Sequence, residues 1–315
     1  MVNYRAVVKA PNRWPLGALI LASCLIAPGP VPAAASEATL ERAYRTFQTY
    51  LVGEFDNQEQ FYFDRNLQLP PEEQHPRNHL RVDKLDSEIP GVNVFRVQQY
   101  LDDNPDVLIR DQIVQTSLDS QEMAIVMDFI AEPRDGGEPV GSRGETLCRV
   151  FWRPELAHFV GDAAGPSCGD TEKLLLTAEE LSLFGTALDP EIASQAPTAG
   201  EIFRNRKARY FSCWMSVTHR DQQQSTFKAN LRLHDQGGRQ WLDSEENSPQ
   251  TAGIKIRRVR WPAGRNRDSL VLYAHRPEME KAIAYAWGDY NAKRIAMNLR
   301  WMQASCTLDE DDPSG

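Results

Sequence analysis

The sequence has no apolar run beyond residue 35 that reaches the ~20 residues of a membrane-spanning helix. It has no Cys-x-x-Cys pair, and His219 and His234 are not spaced as zinc ligands, so we predict no metal site. It also lacks a His-Glu-x-x-His motif, a phosphate-binding loop and a Gly-x-Gly-x-x-Gly motif. These absences remove the motif support for zinc proteases, nucleotide hydrolases and dinucleotide-binding domains.

The first 35 residues have the basic, apolar and small-residue order of a secretion signal. The apolar run over 16–27 is too short to span a bilayer, and the small-residue stretch ends at Ala35. We predict that residues 1–35 are removed as a signal peptide and that the mature protein is exported, to the periplasm or the medium. Leu-Ala-Ser-Cys, which ends at Cys24, resembles a bacterial lipobox, so lipid anchoring at Cys24 is the alternative.

Acidic side chains outnumber basic ones, with 44 Asp and Glu against 35 Lys and Arg and a formal net charge of −9. The predicted signal carries three positive charges and no negative charge, so its removal changes −9 to −12. An acidic protein of this kind stays soluble and is a poor candidate for general nucleic-acid binding. We therefore expect no nucleic-acid partner.

Four of the five cysteines follow the predicted signal: Cys148, Cys168, Cys213 and Cys306. An even number of cysteines in an oxidising compartment favours disulfides over free or metal-bound thiols. We predict a bridge between Cys148 and Cys168, which closes a loop of about twenty residues. We predict a second bridge between Cys213 and Cys306, which ties the C-terminal part of the chain to the rest.

Two segments have helical patterns. Apolar side chains at i, i+3, i+4 and i+7 spacing predict a helix over 37–55, and the polar, Pro-rich segment 64–78 predicts a loop. Thr177 precedes Glu179 in the arrangement of a helix cap, which predicts a second helix over 174–184.

Most other segments are short and rich in β-branched or aromatic residues. They predict strands at 78–85, 92–101, 108–118, 123–130, 147–152, 158–160, 209–218, 226–234, 254–261, 270–275, 282–287 and 295–307. Gly237-Gly238 and Ala263-Gly264 stand where hairpin turns are expected, and 185–200 has the composition of a long loop. Successive short strands indicate a mainly β fold, either a sandwich or a barrel.

Three sequence strings occur in order: GEFDNQEQ at 53–60, FRVQQY at 95–100, and Cys148 with Phe159-Val160-Gly161 and Cys168. Together they resemble the CpcT/CpeT family of chromophore lyases, over roughly residues 40–170. Those proteins are lipocalin-like β-barrels that bind a linear tetrapyrrole (a bilin) and help to attach it to a cysteine of a phycobiliprotein.

The resemblance implies an antiparallel lipocalin-like β-barrel, or calyx, with an N-terminal helix and a β-rich C-terminal extension. We divide the chain into signal peptide 1–35, barrel domain 36–242, and extension 243–315 with an acidic tail.

A bilin has an apolar ring chain, two propionates and pyrrole nitrogens, so it needs an apolar hollow, cations, and an acid or amide. Motif positions and this chemistry give a ligand-binding set of Asn57, Gln60, Arg81, Asp83, Arg96, Gln99, Tyr100 and Arg110. Phe61, Phe95, Val97 and Tyr100 are the candidate lining residues, and Glu59 is an alternative to Asp83 for the nitrogens. The competing interpretation is ordinary strand alternation with the arginines in solvent.

Asn57 and Gln60 also have a local structural interpretation. They stand just after the predicted helix, where they could bond carbonyl groups freed at its end.

Cys148 and Cys168 have a functional interpretation beside the predicted bridge. Either of them, if it were a free thiol, could hold the bilin covalently in transit.

The chain departs from the family pattern. The segment 105–110 lacks the tyrosine of the family's Pro-Tyr-Arg element, about seventy residues follow Trp241, and the chain is predicted to be exported.

The resemblance implies a bilin lyase or bilin-binding chaperone with a protein acceptor and no cofactor. The alternative is a non-catalytic exported calyx protein that binds another apolar ligand or a cell-envelope partner. Homodimer formation is left open.

Six basic residues without an intervening acid occupy the segment 255–267: Lys255, Arg257, Arg258, Arg260, Arg265 and Arg267. They predict either a basic face for an anionic ligand or a solvated outer face that balances an acidic protein.

Overall fold

The computed structural model describes residues 33–101, 104, 107–130, 145–165, 168, 173–184, 202–218, 225–242, 252–260, 268–279 and 281–309. Several predicted features lie outside these residues: most of the signal peptide with Cys24, the loop 185–200, the Ala263-Gly264 turn and the end of the acidic tail.

The described chain contains two α-helices, a short 3-10 turn and eighteen strands. The helices are α1 (Ala33–Leu51) and α2 (Gln58–Asn66), and the 3-10 turn covers Pro71–Glu73. The first ten strands are β1 (Gly53–Asp56), β2 (Asn78–Leu85), β3 (Asn93–Leu101), β4 (Leu108–Asp119), β5 (Ala124–Ile130), β6 (Thr146–Glu155), β7 (His158–Ala164), β8 (Lys173–Leu176), β9 (Glu180–Phe184) and β10 (Ile202–Lys207). The other eight are β11 (Tyr210–Thr218), β12 (Ser225–His234), β13 (Gln236–Leu242), β14 (Ala252–Val259), β15 (Ser269–His275), β16 (Ala284–Asp289), β17 (Arg294–Asn298) and β18 (Met302–Leu308).

Strands β1 to β10 form a closed antiparallel barrel. Each strand pairs with the next along the chain, and β1 closes the barrel by pairing with both β2 and β10. This up-and-down order leaves no free sheet edge. It confirms the predicted mainly β fold with an antiparallel barrel and an N-terminal helix.

Helix α1 completes the core of the barrel. Its apolar face carries Leu40, Tyr44, Phe47 and Leu51, all buried, at the spacing of one helical stripe. These side chains belong to one apolar cluster that includes residues from all ten barrel strands. Phe47 lies 5.3 Å from the rings of both Trp152 and Phe159, and the Tyr44 hydroxyl bonds the backbone oxygen of Thr116 at 2.7 Å.

The remaining strands form two four-stranded antiparallel sheets, in the orders β12-β11-β18-β17 and β13-β14-β15-β16. A second apolar cluster takes inward side chains from both sheets, including Met215 and Ile256, so the sheets pack as a sandwich. The chain passes from one sheet to the other at Asp235. The predicted barrel domain 36–242 therefore extends past the last barrel strand, because β11, β12 and β13 are sandwich strands.

The second predicted helix, over 174–184, is wrong, because this segment forms the β8–β9 hairpin. The Thr177 hydroxyl accepts bonds from the N–H groups of Glu179 at 3.1 Å and Glu180 at 2.9 Å. The same bonds that cap a helix also close a turn. The leucines on either side alternate with a period of two, which fits a strand.

Two further boundaries differ from the prediction. The helix predicted over 37–55 ends at Leu51, because Gly53–Asp56 is needed as β1 to close the barrel. Gly237-Gly238 is not a hairpin turn, since it lies within β13. A Cβ atom on Gly238 would come within 2.6 Å of the backbone nitrogen of His234, so the two glycines permit a close crossing between the sheets.

Candidate functional site

The barrel interior is occupied by apolar side chains. Phe95 is fully buried in the barrel core, and Val97 packs against that core. Phe61 is not a member of this cluster, and the guanidinium of Arg65 lies 4.1 Å above its ring. The predicted lining residues therefore serve as core or lie elsewhere, and do not surround a common hollow.

The register of β2 and β3 separates the predicted ligand residues onto opposite faces. Leu80, a core residue, pairs with Gln99, and Gln99 pairs with Arg110, which places these two on the inner face. Arg81 pairs with Gln98, and Asp83 pairs with Arg96, on the outer face. These residues do not converge on one ligand as the bilin hypothesis expects.

The outward-facing residues mainly contact one another. Arg81 donates to Asp83 at 2.8 Å, and Arg96 donates through Nε to Asp111 at 2.7 Å. The Tyr100 hydroxyl bonds the Gln98 side chain at 3.0 Å. The interpretation of partly solvated arginines on a strand face thus fits Arg81 and Arg96, which are both exposed.

Asn57 and Gln60 fasten α2 to the barrel. Asn57 accepts from the N–H of Asn78 at 2.7 Å, and Gln60 donates to the carbonyl of Ile202 at 2.7 Å. Neither bond is to a carbonyl group at the end of α1. The prediction that these two side chains bond the carbonyl groups freed there is therefore wrong for these contacts. Glu59 likewise accepts from Arg206 at 2.7 Å. These motif positions have structural partners in the fold.

A polar cleft lies between the outer face of the barrel and the sandwich, with a volume of about 550 Å³. The barrel wall comes from β1, the start of β2 and the end of β3, and the sandwich wall comes from β11 to β14. We call it the cationic cleft, and its lining residues are Glu54, Arg77, His79, Arg81, Tyr100, Tyr210, Arg232, Leu233, His234, Gly237, Gly238, Arg239, Gln240 and Lys255. Five of them are arginine or lysine, and Glu54 is the one acid in this set.

Buried carboxylates stabilise the positive charge of the basic side chains on the barrel wall. His79 Nδ1 lies 2.7 Å from Asp56, and its Nε2 lies 3.6 Å from Glu54. Burial alone would lower the pKa of His79, but its hydrogen bonds to Asp56 and Glu54 and the charges of both raise it to about 9. His79 is therefore protonated at neutral pH, and it adds to the charge of Arg77 and Arg81.

The two carboxylates stay ionised for the same reason. Burial alone would raise the pKa of Asp56, but the charge of Arg77 and the bond from His79 lower it to about 2. Burial also opposes ionisation of Glu54, whose pKa is lowered to about 2 by bonds from His79 and Tyr210.

The sandwich wall adds cations and aromatic rings. The Arg232 guanidinium lies 3.3 Å from the centre of the Tyr210 ring, and that of Arg239 lies 5.6 Å from the Trp241 ring. Gly237 has φ of +95°, and a Cβ there would meet the Gln58 side chain at 3.0 Å. This backbone geometry lets β13 run close to α2 along the cleft.

A buried ion network joins the two parts of the molecule beside the cleft. Asp235, fully buried, accepts from Arg209 at 2.7 Å and lies 3.5 Å from Arg258. Arg206 of β10 donates to the backbone oxygen of Arg258 at 3.0 Å. Burial opposes ionisation of Asp235, but the charges of Arg258 and Arg209 keep its pKa below the ordinary value.

This network corrects both interpretations of the basic segment 255–267. Arg257 and Arg258 are buried, so neither a solvated face nor an open basic face describes them. Arg260 is exposed and donates to Asp268 at 3.1 Å, while Lys255 lines the cleft. Arg265 and Arg267 lie outside the described residues.

Both predicted disulfides are confirmed, between Cys148 and Cys168 and between Cys213 and Cys306. A free thiol at Cys148 or Cys168 that carries a bilin is thereby contradicted. The two bonded pairs fit an oxidising compartment.

Three further features of the described chain bear on its function. In the described chain, no group of three or more His, Cys, Asp and Glu side chains could hold a metal ion. The string GPSCG at 165–169 resembles the nucleophile elbow of α/β-hydrolases, which joins a strand to a helix above a sheet. Here the string follows β7 of an antiparallel barrel, and its Cys168 is disulfide-bonded. Neither described helix has the length and apolar character to cross a bilayer.

No family model, curated protein or solved structure matches the chain. The CpcT/CpeT resemblance therefore stays a prediction that these comparisons neither support nor oppose.

Most of the cleft residues were missed in the sequence, although a signal exists. Arg77, His79 and Arg81 recur at every second residue, as do Arg232 and His234. Such a period places basic side chains on one face of a strand. The period does not predict that β2 and β12, which are far apart in the sequence, come close together in the fold.

Proposed function

We propose that this protein is a non-catalytic binding protein that holds an anionic small molecule in the cationic cleft. The observation that carries the proposal is the set of five arginine and lysine side chains, with the charged His79, around a volume of about 550 Å³ that has Glu54 as its acid. That volume falls in the usual range of small-molecule sites. Arginine and lysine there would form charge-assisted bonds to carboxylates.

The ligand to test first is a bilin. Its two propionates fit the cations of the cleft, and its rings fit Tyr100 and Tyr210. This proposal moves the bilin from the barrel interior, where the resemblance places it, to the junction of barrel and sandwich.

The test compares biliverdin with its dimethyl ester, which keeps the rings and loses both negative charges. We expect the wild-type protein to shift the biliverdin absorbance and to bind the ester at least tenfold more weakly, since each 1.4 kcal/mol of lost interaction is a factor of ~10. The double variant Arg232→Ala/Arg239→Ala should lose biliverdin binding to a similar extent.

Arg153→Ala is the matched control, because Arg153 is an arginine on β6 whose side chain is 43% exposed and lies outside the cleft lining. Equal binding of biliverdin and its ester would contradict the role of the cations. No absorbance change with either compound would end the bilin proposal.

A bilin lyase activity is the second candidate, and the three ordered motif strings support it. The step would add the thiol of an acceptor cysteine across a vinyl-type bond of the bilin, forming a C–S bond while the thiol proton passes to carbon. The protein would act by orientation. We expect protein loaded with bilin to colour an acceptor phycobiliprotein covalently; binding without such transfer would leave only the carrier function.

We also propose that the mature chain is periplasmic or secreted. The basic, apolar and small-residue start of the sequence and the two disulfides support this location. Expression in an export-competent bacterium should give an intact mass that begins near residue 36. A lipid-modified mass that begins at Cys24, abolished by Cys24→Ser, would establish the anchored form instead.

A further inference from the structure

The outer face of the β13–β16 sheet carries aromatic rings in solvent. One cross-strand row runs Arg239, Lys255, Tyr273 and Tyr285, since each is the register partner of the next. Trp287 follows two residues after Tyr285 on the same face of β16. The opposite face of this sheet belongs to the sandwich core.

Two of these rings are exposed, and Tyr273 beside them is half-buried. Tyr285 is 59% exposed and Trp287 is 51% exposed. The ring centres of Tyr273 and Tyr285 lie 6.4 Å apart, and those of Tyr285 and Trp287 lie 5.5 Å apart. The three rings form a continuous apolar surface, and such exposed patches commonly mark interaction sites.

The other end of the same row is positively charged. Arg239 is exposed and Lys255 is half-buried. Burial is the first cause that lowers the pKa of the neighbouring His275 to about 4, and the charges of Arg239 and Lys255 add to it. Strands stand about 4.8 Å apart in a sheet, so the row from β13 to β16 spans about 14 Å.

We propose that this face binds an acidic polysaccharide. Sugar rings would pack their C–H faces on Tyr273, Tyr285 and Trp287, and sugar carboxylates would meet Arg239 and Lys255. Charge complementarity at one end and exposed aromatic area at the other select a chain that has both apolar faces and carboxylates.

The probe is polygalacturonate, with dextran as the neutral polymer, in affinity gel electrophoresis. We expect polygalacturonate to retard the wild-type protein and to quench its tryptophan fluorescence, while dextran does neither. Tyr285→Ala/Trp287→Ala should weaken retardation by about tenfold or more, since two stacking rings are lost. Phe227→Ala is the matched control, because Phe227 is an equally exposed aromatic residue on β12 of the other sheet.

Arg239 and Lys255 also line the cationic cleft, so the two proposed sites share their cations and differ in the rings. The same double variant tests the rings alone, since its biliverdin binding should equal that of the wild-type protein. Retardation of Tyr285→Ala/Trp287→Ala equal to that of the wild-type protein would overturn the proposal. Failure of polygalacturonate to retard or quench the wild-type protein would also overturn it. Oligothymidylate that retards the protein as strongly as polygalacturonate would show a general polyanion surface and overturn it too.

Discussion

At the scale of single residues, the charge of the cleft depends on contacts behind its surface. His79 is held between Asp56 and Glu54, and all three are ionised at neutral pH. An ion pair of this kind contributes stability only where both partners keep their folded charge. The cluster therefore links the free energy of unfolding to pH.

The folded pKa of His79 is about 9, above the unfolded value of 6.5. Its contribution is therefore fully present below pH 6.5 and is lost as the pH rises to 9, by an amount on the order of 3 kcal/mol. His79→Gln should remove most of this pH dependence, because glutamine can still donate to Asp56 but does not titrate. Urea unfolding at pH 6, 7.5 and 9 measures it, and an unchanged slope in His79→Gln would contradict the assignment.

The contribution of Asp56 to the free energy of unfolding changes with pH in the opposite direction. Its folded pKa of about 2 lies below the unfolded value of 3.8, so its contribution is present above pH 4 and is lost as the pH falls toward 2. Together the two residues place the stability maximum between about pH 4 and 6.5.

Asp235 is the residue on which the junction of barrel and sandwich depends. Asp235→Asn should cost about 3 to 5 kcal/mol, because it leaves Arg209 and Arg258 without a buried counter-charge. Asp162→Asn, which removes a half-exposed surface pair with Arg153, should cost less than about 1 kcal/mol. Equal midpoints of urea unfolding for the two variants would show that the buried network does not stabilise the fold.

At the scale of elements, α1 acts as part of the barrel. Phe47→Ala should reduce the free energy of unfolding by about 3 to 5 kcal/mol, because it opens a cavity between Trp152 and Phe159. Arg45→Ala on the exposed face of the same helix should change it by less than about 0.5 kcal/mol. A small effect of Phe47→Ala would mean that the barrel is stable without its helix.

Element prediction succeeded where period and packing agree. The apolar stripe from Leu40 to Leu51 correctly predicted α1. Most strands could be predicted because one of their faces is buried. The prediction failed at 174–184, where Thr177 makes cap-like bonds in a β-turn. It also missed β1, whose four residues become a strand only because the barrel needs them for closure.

At the scale of the whole molecule, the mainly β class and the disulfide pairing were predictable from the sequence, while the barrel came from the family resemblance, since the strand pattern fitted a sandwich or a barrel. The second unit was not predicted. The extension was expected after residue 242, but the sandwich begins with β11 at Tyr210. Nothing local in β11 or β12 distinguishes a barrel strand from a sandwich strand. The cationic cleft could not be predicted because its two walls meet only in the folded chain.

The two disulfides should stabilise the molecule unequally. Cys148 and Cys168 are 20 residues apart, and Cys213 and Cys306 are 93 apart. In the chain-entropy model, replacing the first pair by serine costs about 3 kcal/mol and replacing the second costs about 4.5 kcal/mol. Thermal unfolding of the two double variants measures the order, and a larger loss for the shorter loop would contradict the model here.

The longer bridge also has a consequence for a damaged chain. It joins β11 to β18, the first and last strands of the sandwich. A protease that cuts once between these strands releases no fragment, because both pieces remain covalently attached and their strands stay paired. The nicked protein should migrate as a single band on a denaturing gel until a reductant is added, and then separate into two.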